Sequence, residues 1–204
     1  VDRSHLSNVL LLADRGYEGF NLMAHIQEKG WKFLIRIQDA ANSYGIASGL
    51  DLPNTEEFDL FIDLSLTKMQ TKEVQSLCKN RNLFKRIHSS FDFLPENYKT
   101  GTPVFYKLPF RIVRFKITDD SYETVVTNLD TEQFPPEELK RLYGMRWGIE
   151  TSFRELKYTV GLLHFHAKKV EYIYQEVFAR LIMYNFSELV TSLAIIQKAD
   201  TKLT

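Results

Sequence analysis

Hydrophobic residues fall into three textures along the chain. Val9 to Ala13 is an unbroken apolar run, the pattern of a strand buried on both faces, and it ends at Asp14-Arg15-Gly16. Glu18 to Lys29 then carries Phe20, Met23, Ala24 and Ile26 at helical spacing, with Gly30 as a C-terminal stop. Trp31 to Ile37 reads as the next strand, so the opening predicts a strand, helix, strand unit with a right-handed crossover in a parallel sheet.

From Asp39 the texture changes. Asn, Ser, Gly and Pro punctuate the chain, and alternating runs follow at Asp59 to Thr67, Val104 to Leu108, Arg111 to Thr118 and Glu123 to Thr127, with a short helix near Lys72 to Lys79. This is the pattern of a mainly antiparallel β segment. After Thr127-Asn128-Leu129 the periodicity becomes helical: Pro135 and Pro136 sit where a first turn tolerates proline, and Glu137 to about Val160 contains no breaker stronger than Gly144 and Gly148. A last long helix is expected over roughly Val170 to Ile196, with Val177, Leu181, Tyr184 and Leu189 near helical spacing. No repeat or low-complexity tract interrupts this order.

With 204 residues, 44% of them hydrophobic and 13% aromatic, the chain can bury a core of one or two domains. The lone Cys78 excludes a disulfide framework and a cysteine-rich zinc module, fits a reducing compartment, and reads as a small buried apolar residue. No apolar run reaches the ~18 residues of a membrane span, so a cytoplasmic protein is expected. The chain opens on Val1 rather than Met, with an apolar run almost at once, and reads as part of a longer protein.

Charge changes the picture only locally. The chain has 26 basic and 26 acidic residues, but Lys140 to Lys169 holds seven basic residues against Glu150 and Glu155. Such a run is either a solvated helix face or a nucleic-acid contact. Within it, at 100° per residue on one continuous helix, Tyr143, Arg146, Glu150 and Lys157 share an arc of about 60°, beside an apolar stripe of Leu142, Met145, Ile149, Leu156 and Val160. A carboxylate that holds a divalent cation, with Arg and Lys one to two turns away for flanking phosphates, suits phosphoryl transfer on DNA. The same row also reads as a surface helix with an Arg146 to Glu150 pair. Asp14, at the carboxyl end of a buried strand and before a glycine turn, is placed either as a ligand group or as a turn cap. His164 and His166 form only a bare H-x-H, a weak metal signal, and Trp31 and Trp147 read as core residues rather than base-stacking platforms.

These residues resemble the bacterial insertion-sequence transposases of the DDE class, in the group with the signature Y-x2-R-x3-E-x6-K, which Tyr143, Arg146, Glu150 and Lys157 match at every position. Ala13-Asp14-Arg15-Gly16-Tyr17 looks like the strand-end motif that carries the second aspartate of that class, and Val126-Thr127-Asn128-Leu129 like the strand before its catalytic helix. The resemblance covers residues 9 to 196. It implies an α/β fold: a partial ribonuclease H-like core over 1–38 and 130–204, a β-rich insertion subdomain over 39–129 that lies within the 135 residues between Asp14 and Glu150, and long C-terminal helices.

The resemblance further implies Asp14 and Glu150 as catalytic metal ligands, Tyr143, Arg146, Lys157 and, more weakly, Arg15 as contacts to DNA, and two Mg²⁺ or Mn²⁺ ions in the intact enzyme. The implied partners are double-stranded DNA at transposon ends and target, and a second copy of the chain in a synaptic homodimer in the bacterial cytoplasm. The two carboxyl groups are expected within roughly 10 Å, so that ions about 3.5 to 4 Å apart can be shared. The class also has a first aspartate on an earlier strand, which the 13 residues before Asp14 cannot supply, so this stretch alone is expected to be inactive. The alternatives are a ribonuclease H-like nuclease that does not transpose and an inactive remnant that only binds DNA.

Overall fold

The computed structural model describes residues 1–39, 44–95 and 102–200, apart from the side chains of Ile149 and 195–200. The described chain divides into two compact units, Val1–Gly144 and Met145–Thr204.

The first unit is built on one six-stranded mixed sheet. In chain order its elements are β1 (Leu10–Ala13), α1 (Phe20–Glu28), β2 (Lys32–Ile37), β3 (Phe58–Thr67), α2 (Lys72–Leu77), β4 (Phe84–Arg86), β5 (Tyr106–Thr118), β6 (Ser121–Thr127) and α3 (Pro136–Gly144). The strands lie in the order β1-β2-β6-β5-β3-β4. β1 and β2 are parallel, as the opening pattern predicts, with Leu12 opposite Leu34 and Ala13 opposite Ile35. α1 between them ends as expected. Gly30 takes φ 66°, and its N–H and that of Trp31 bond the carbonyls of Gln27 and Ile26, closing the helix end at a conformation that suits glycine.

The helix begins two residues later than its periodicity predicts, because Glu18 has other work. Its carboxylate accepts from the backbone N–H groups of Gln38 (2.9 Å) and Ile46, and so fastens the chain leaving β2.

Tertiary pairing decides the rest of the sheet. β6 runs antiparallel to β2, with Leu34 opposite Thr127, and β5 lies between β6 and β3. The strands expected in the β segment share one sheet with β1 and β2. Val104 to Leu108 and Arg111 to Thr118, expected as two strands, merge into β5 through Pro109. That residue faces Asp63 of β3, while β6 pairs with β5 only from Arg111 onward, so a residue without an N–H is tolerated beside an unpaired edge. β4, which the alternation does not announce, pairs parallel with β3.

Both faces of the sheet are apolar, as alternation along its strands requires. One face packs Phe33, Ile35, Ile37, Leu64, Leu108, Phe110 and Ile112 against Met23, Ala24 and Ile26 of α1. The other packs Leu34, Val113, Phe115 and Val125 against Leu129, and Leu139 and Tyr143 of α3. β1 contributes to both, through Leu11 and Ala13 on one side and Leu10 and Leu12 on the other. Yet Leu10 to Leu12 are only half-buried rather than fully buried, since β1 is an edge strand with β2 as its partner. Trp31 is in the core, its indole N–H donating to the Leu6 carbonyl at 3.0 Å, and Cys78 is half-buried at the end of α2.

The second unit holds α4 (Trp147–Tyr158) and α5 (Val170–Asp200). Arg180 of α5 donates to the carbonyls of Gly161 and His164, Glu176 accepts from the N–H groups of His166 and Ala167, and Tyr184 donates to Glu155 of α4 at 3.1 Å. Leu189, expected on the apolar stripe of the last helix, is exposed. Among the described residues no helix is long and apolar enough to cross a membrane.

Candidate active site

Asp14 stands where β1 ends. Its backbone is extended (φ −92°, ψ 175°) and its Oδ1 accepts the Arg15 N–H at 2.7 Å, so it caps the single turn of 3-10 helix over Arg15–Tyr17. The turn-capping role weighed from the sequence is therefore real, and it leaves room for a second role: the side chain is 43% exposed. The Tyr143 hydroxyl donates to the same Oδ1 at 3.3 Å, across 129 positions of sequence. Tyr143 itself, expected on a row beside the apolar stripe, is 2% exposed, its ring set in the core with Leu139 of α3.

Two further charges belong to this corner, and sequence reasoning did not select them. Arg36 of β2 has Nη1 3.9 Å from Asp14 Oδ1 and Nη2 3.3 Å from Glu123 Oε1 of β6. Arg36 lies on the same sheet face as Leu34, so the row Asp14, Arg36, Glu123 crosses three adjacent strands at one end of the sheet. A charged residue inside the otherwise apolar Phe33 to Ile37 was the available signal. Arg15 is exposed and shares a small recess of about 70 Å³ with Arg36, Glu123 and Tyr122.

The signature does not lie on one helix. α3 stops at Gly144, and α4 starts at Trp147 after a turn at Met145 and Arg146, with Gly148 N–H bonded to the Met145 carbonyl at 3.1 Å. The two glycines flanking this turn have the low helix propensity that permits such a break. Tyr143 consequently belongs to the first unit, and Arg146, Glu150 and Lys157 to the second.

The break also corrects the apolar stripe. Met145 and Trp147, expected to be buried, are exposed, Leu142 and Leu156 are half-buried, and the expectation for Ile149 falls on a side chain outside those described.

Within α4 the helical geometry holds. Arg146, at the N-cap, donates from Nη1 to Glu150 Oε1 at 2.7 Å, and its guanidinium stands 5.3 Å from the Trp147 ring centroid. Arg146 is buried while Glu150 is half exposed in the first turn, where the helix dipole favours a carboxylate. Lys157 is exposed, two turns on and about 10 Å along the axis from Glu150, on the same side of the helix. His164 and His166 are both exposed; His166 Nδ1 lies 3.7 Å from Glu176 Oε2.

Asp14 and Glu150 each present a partly exposed oxygen donor, the donor type hard divalent cations take. Among the described residues no group of three His, Cys, Asp or Glu side chains comes together as a metal site.

The sequence profile of the Transposase DDE domain matches residues 1–186, nearly the whole chain. The chain belongs to this family. Asp14 and the signature residues from Tyr143 to Lys157 all fall inside the matched span of the DDE transposase domain. Membership carries the coarse function: transposition-related endonuclease chemistry on DNA, in a family that generally works with divalent metal ions. No curated protein matches the chain.

Proposed function

We propose that this DDE transposase domain carries out metal-dependent strand cleavage and strand transfer at the ends of a bacterial insertion sequence of the Y-x2-R-x3-E-x6-K group, with a ribonuclease H-like core over 1–38 and 130–204 and the β-rich stretch 39–129 inserted in it. The observation that carries the reading is the Asp14 corner. A carboxylate at the end of a core strand, oriented by the Arg15 N–H and the Tyr143 hydroxyl and still open to solvent, ties the strand-end motif to the first residue of the signature.

In this reading Asp14 and Glu150 are the catalytic metal ligands and would hold Mg²⁺ or Mn²⁺. Bound there, the ions would activate water for nicking and then the freed 3′-hydroxyl for transfer. The residues themselves bind and orient. Tyr143 and Arg146 reach the DNA backbone beside the cleaved phosphate from positions where each already holds one of the two carboxylates. Lys157 and Arg15, both exposed, neutralise flanking phosphates. Arg36 counters the Asp14 and Glu123 charges until cations take over that task. The active assembly is a homodimer on double-stranded DNA, working in the cytoplasm, and residues 1–204 alone do not cut, since two carboxylates make a poor site for a pair of ions.

The deciding experiment is Glu150→Gln in the full-length protein, assayed for Mg²⁺-dependent nicking of a duplex bearing the transposon end. Cleavage should vanish while circular dichroism stays native and melting falls only slightly, because the substitution is isosteric and the new amide oxygen can still accept from Arg146. Retention of more than a few per cent of the activity refutes the ligand role, and nicking without joining to target DNA favours a nuclease that does not transpose.

A further inference from the structure

The sheet edge farthest from Asp14 carries a second concentration of positive charge. From Lys68 to His88 the chain holds six lysines and arginines against Glu73 alone. Where β3 and β4 end side by side, with Thr67 opposite Arg86, a recess of about 420 Å³ opens, lined by Lys68, Arg86, Ile87, His88, Ser89 and Ser90. Among the described residues no acidic one lines it. Arg86 Nε is buried and has no hydrogen-bond partner among the described residues, an unsatisfied donor that costs free energy unless a ligand or water completes it. Asp92 is committed elsewhere. Its carboxyl is held below the usual range mainly by hydrogen bonds from Asn21 and His25, and only last by the charge of Lys68. The positive charges crowd one another along this edge: burial, and then Arg81, lower the basicity of the Lys85 amine.

We propose that this recess is a second phosphate-binding site, which holds a backbone phosphodiester of the DNA on which the domain acts. A phosphodiester offers one negative charge and two acceptor oxygens. The recess offers a guanidinium, an ammonium, an imidazole and two hydroxyls, a donor set that satisfies those oxygens without reading sequence.

β4 is five strand positions from β1, about 24 Å at ~4.8 Å per strand, which corresponds to about seven base pairs of duplex. The site therefore engages a stretch of backbone distinct from the phosphate at Asp14 and lengthens the bound segment. This inference rests on the transposase reading, since it takes the DNA from it.

The test measures binding of the chain to a 30-base-pair duplex by fluorescence anisotropy across a salt series, for wild type and for Lys68→Gln/Arg86→Gln. Losing the one phosphate contact of this site should lower the log-log salt slope by about 0.9 and weaken binding several-fold at low salt, with Arg86→Lys restoring most of the loss. Lys68→Gln alone, at a half-buried position, carries the same test at about half the size should the double variant not fold.

A wild-type slope retained in the folded variants overturns this site and leaves the transposase reading standing; wild type that binds no duplex overturns both. Inorganic phosphate serves as the second probe. If it raises the melting temperature of wild type but not of the double variant, while the duplex slope is unchanged, the recess takes free phosphate and the DNA assignment is overturned.

Discussion

Replacing Arg111 should unfasten the segment that delivers Tyr143 to Asp14. Arg111 of β5 is 3% exposed and makes five hydrogen bonds. Its Nε and Nη2 donate to the Asp59 carboxylate at 3.1 and 2.5 Å, and its Nη1 donates to the carbonyls of Leu129, Asp130 and Phe134 at 2.9 to 3.1 Å. Those three carbonyls belong to the loop between β6 and α3.

Removing one partner of a buried ion pair costs about 3 to 5 kcal/mol, because the other charge is left unpaired. Asp59 is 24% exposed and water can reach it, so we take the lower end, about 3 kcal/mol, for Arg111→Met. For a unit of this size that is about 10 °C in melting temperature. Arg111→Lys should lose about 2 kcal/mol, since an ammonium cannot serve a bidentate carboxylate and three carbonyls together.

Buried Trp31 reports on this unit once exposed Trp147 is changed to phenylalanine, so urea titrations of its fluorescence give the stabilities. Amide exchange in α3 should rise further than in α1. A loss below about 1 kcal/mol for Arg111→Met, or no preferential exchange in α3, refutes the clamp.

Arg146→Ala and Lys157→Ala should each flatten the salt dependence of DNA binding by at most about one log-log unit, and an unchanged slope refutes their phosphate contacts. The pH dependence should centre on His25, whose pKa is raised above 6.5 chiefly by its hydrogen bond with Asp92, against burial, and then by Asp2. A raised folded pKa gives stability that is fully present below pH 6.5 and is lost as pH rises through the folded value. Urea midpoints should thus fall from pH 6 towards 8 in wild type and not in His25→Gln, and equal slopes in the two proteins would count against the tie.

What the sequence alone determined is local. The β1, α1, β2 unit, the Gly30 stop and the proline start of α3 were legible because periodicity and capping report on a few neighbouring residues. The alignment of Glu150 with Lys157 was legible for the same reason, since both lie within α4. Periodicity says that a face is buried, not against what. Only tertiary structure put β6 beside β2 and so joined all six strands, set Glu18 to hold the chain after β2, and turned Arg111 into a clamp. It also broke the signature helix at Met145 and Arg146, where two glycines make the break inexpensive, and buried Tyr143 against Asp14. Arg36, Glu123 and the Arg86 recess belong to the same class: each is an arrangement of charges brought together by strand order, and strand order is set by pairings between residues far apart in the chain.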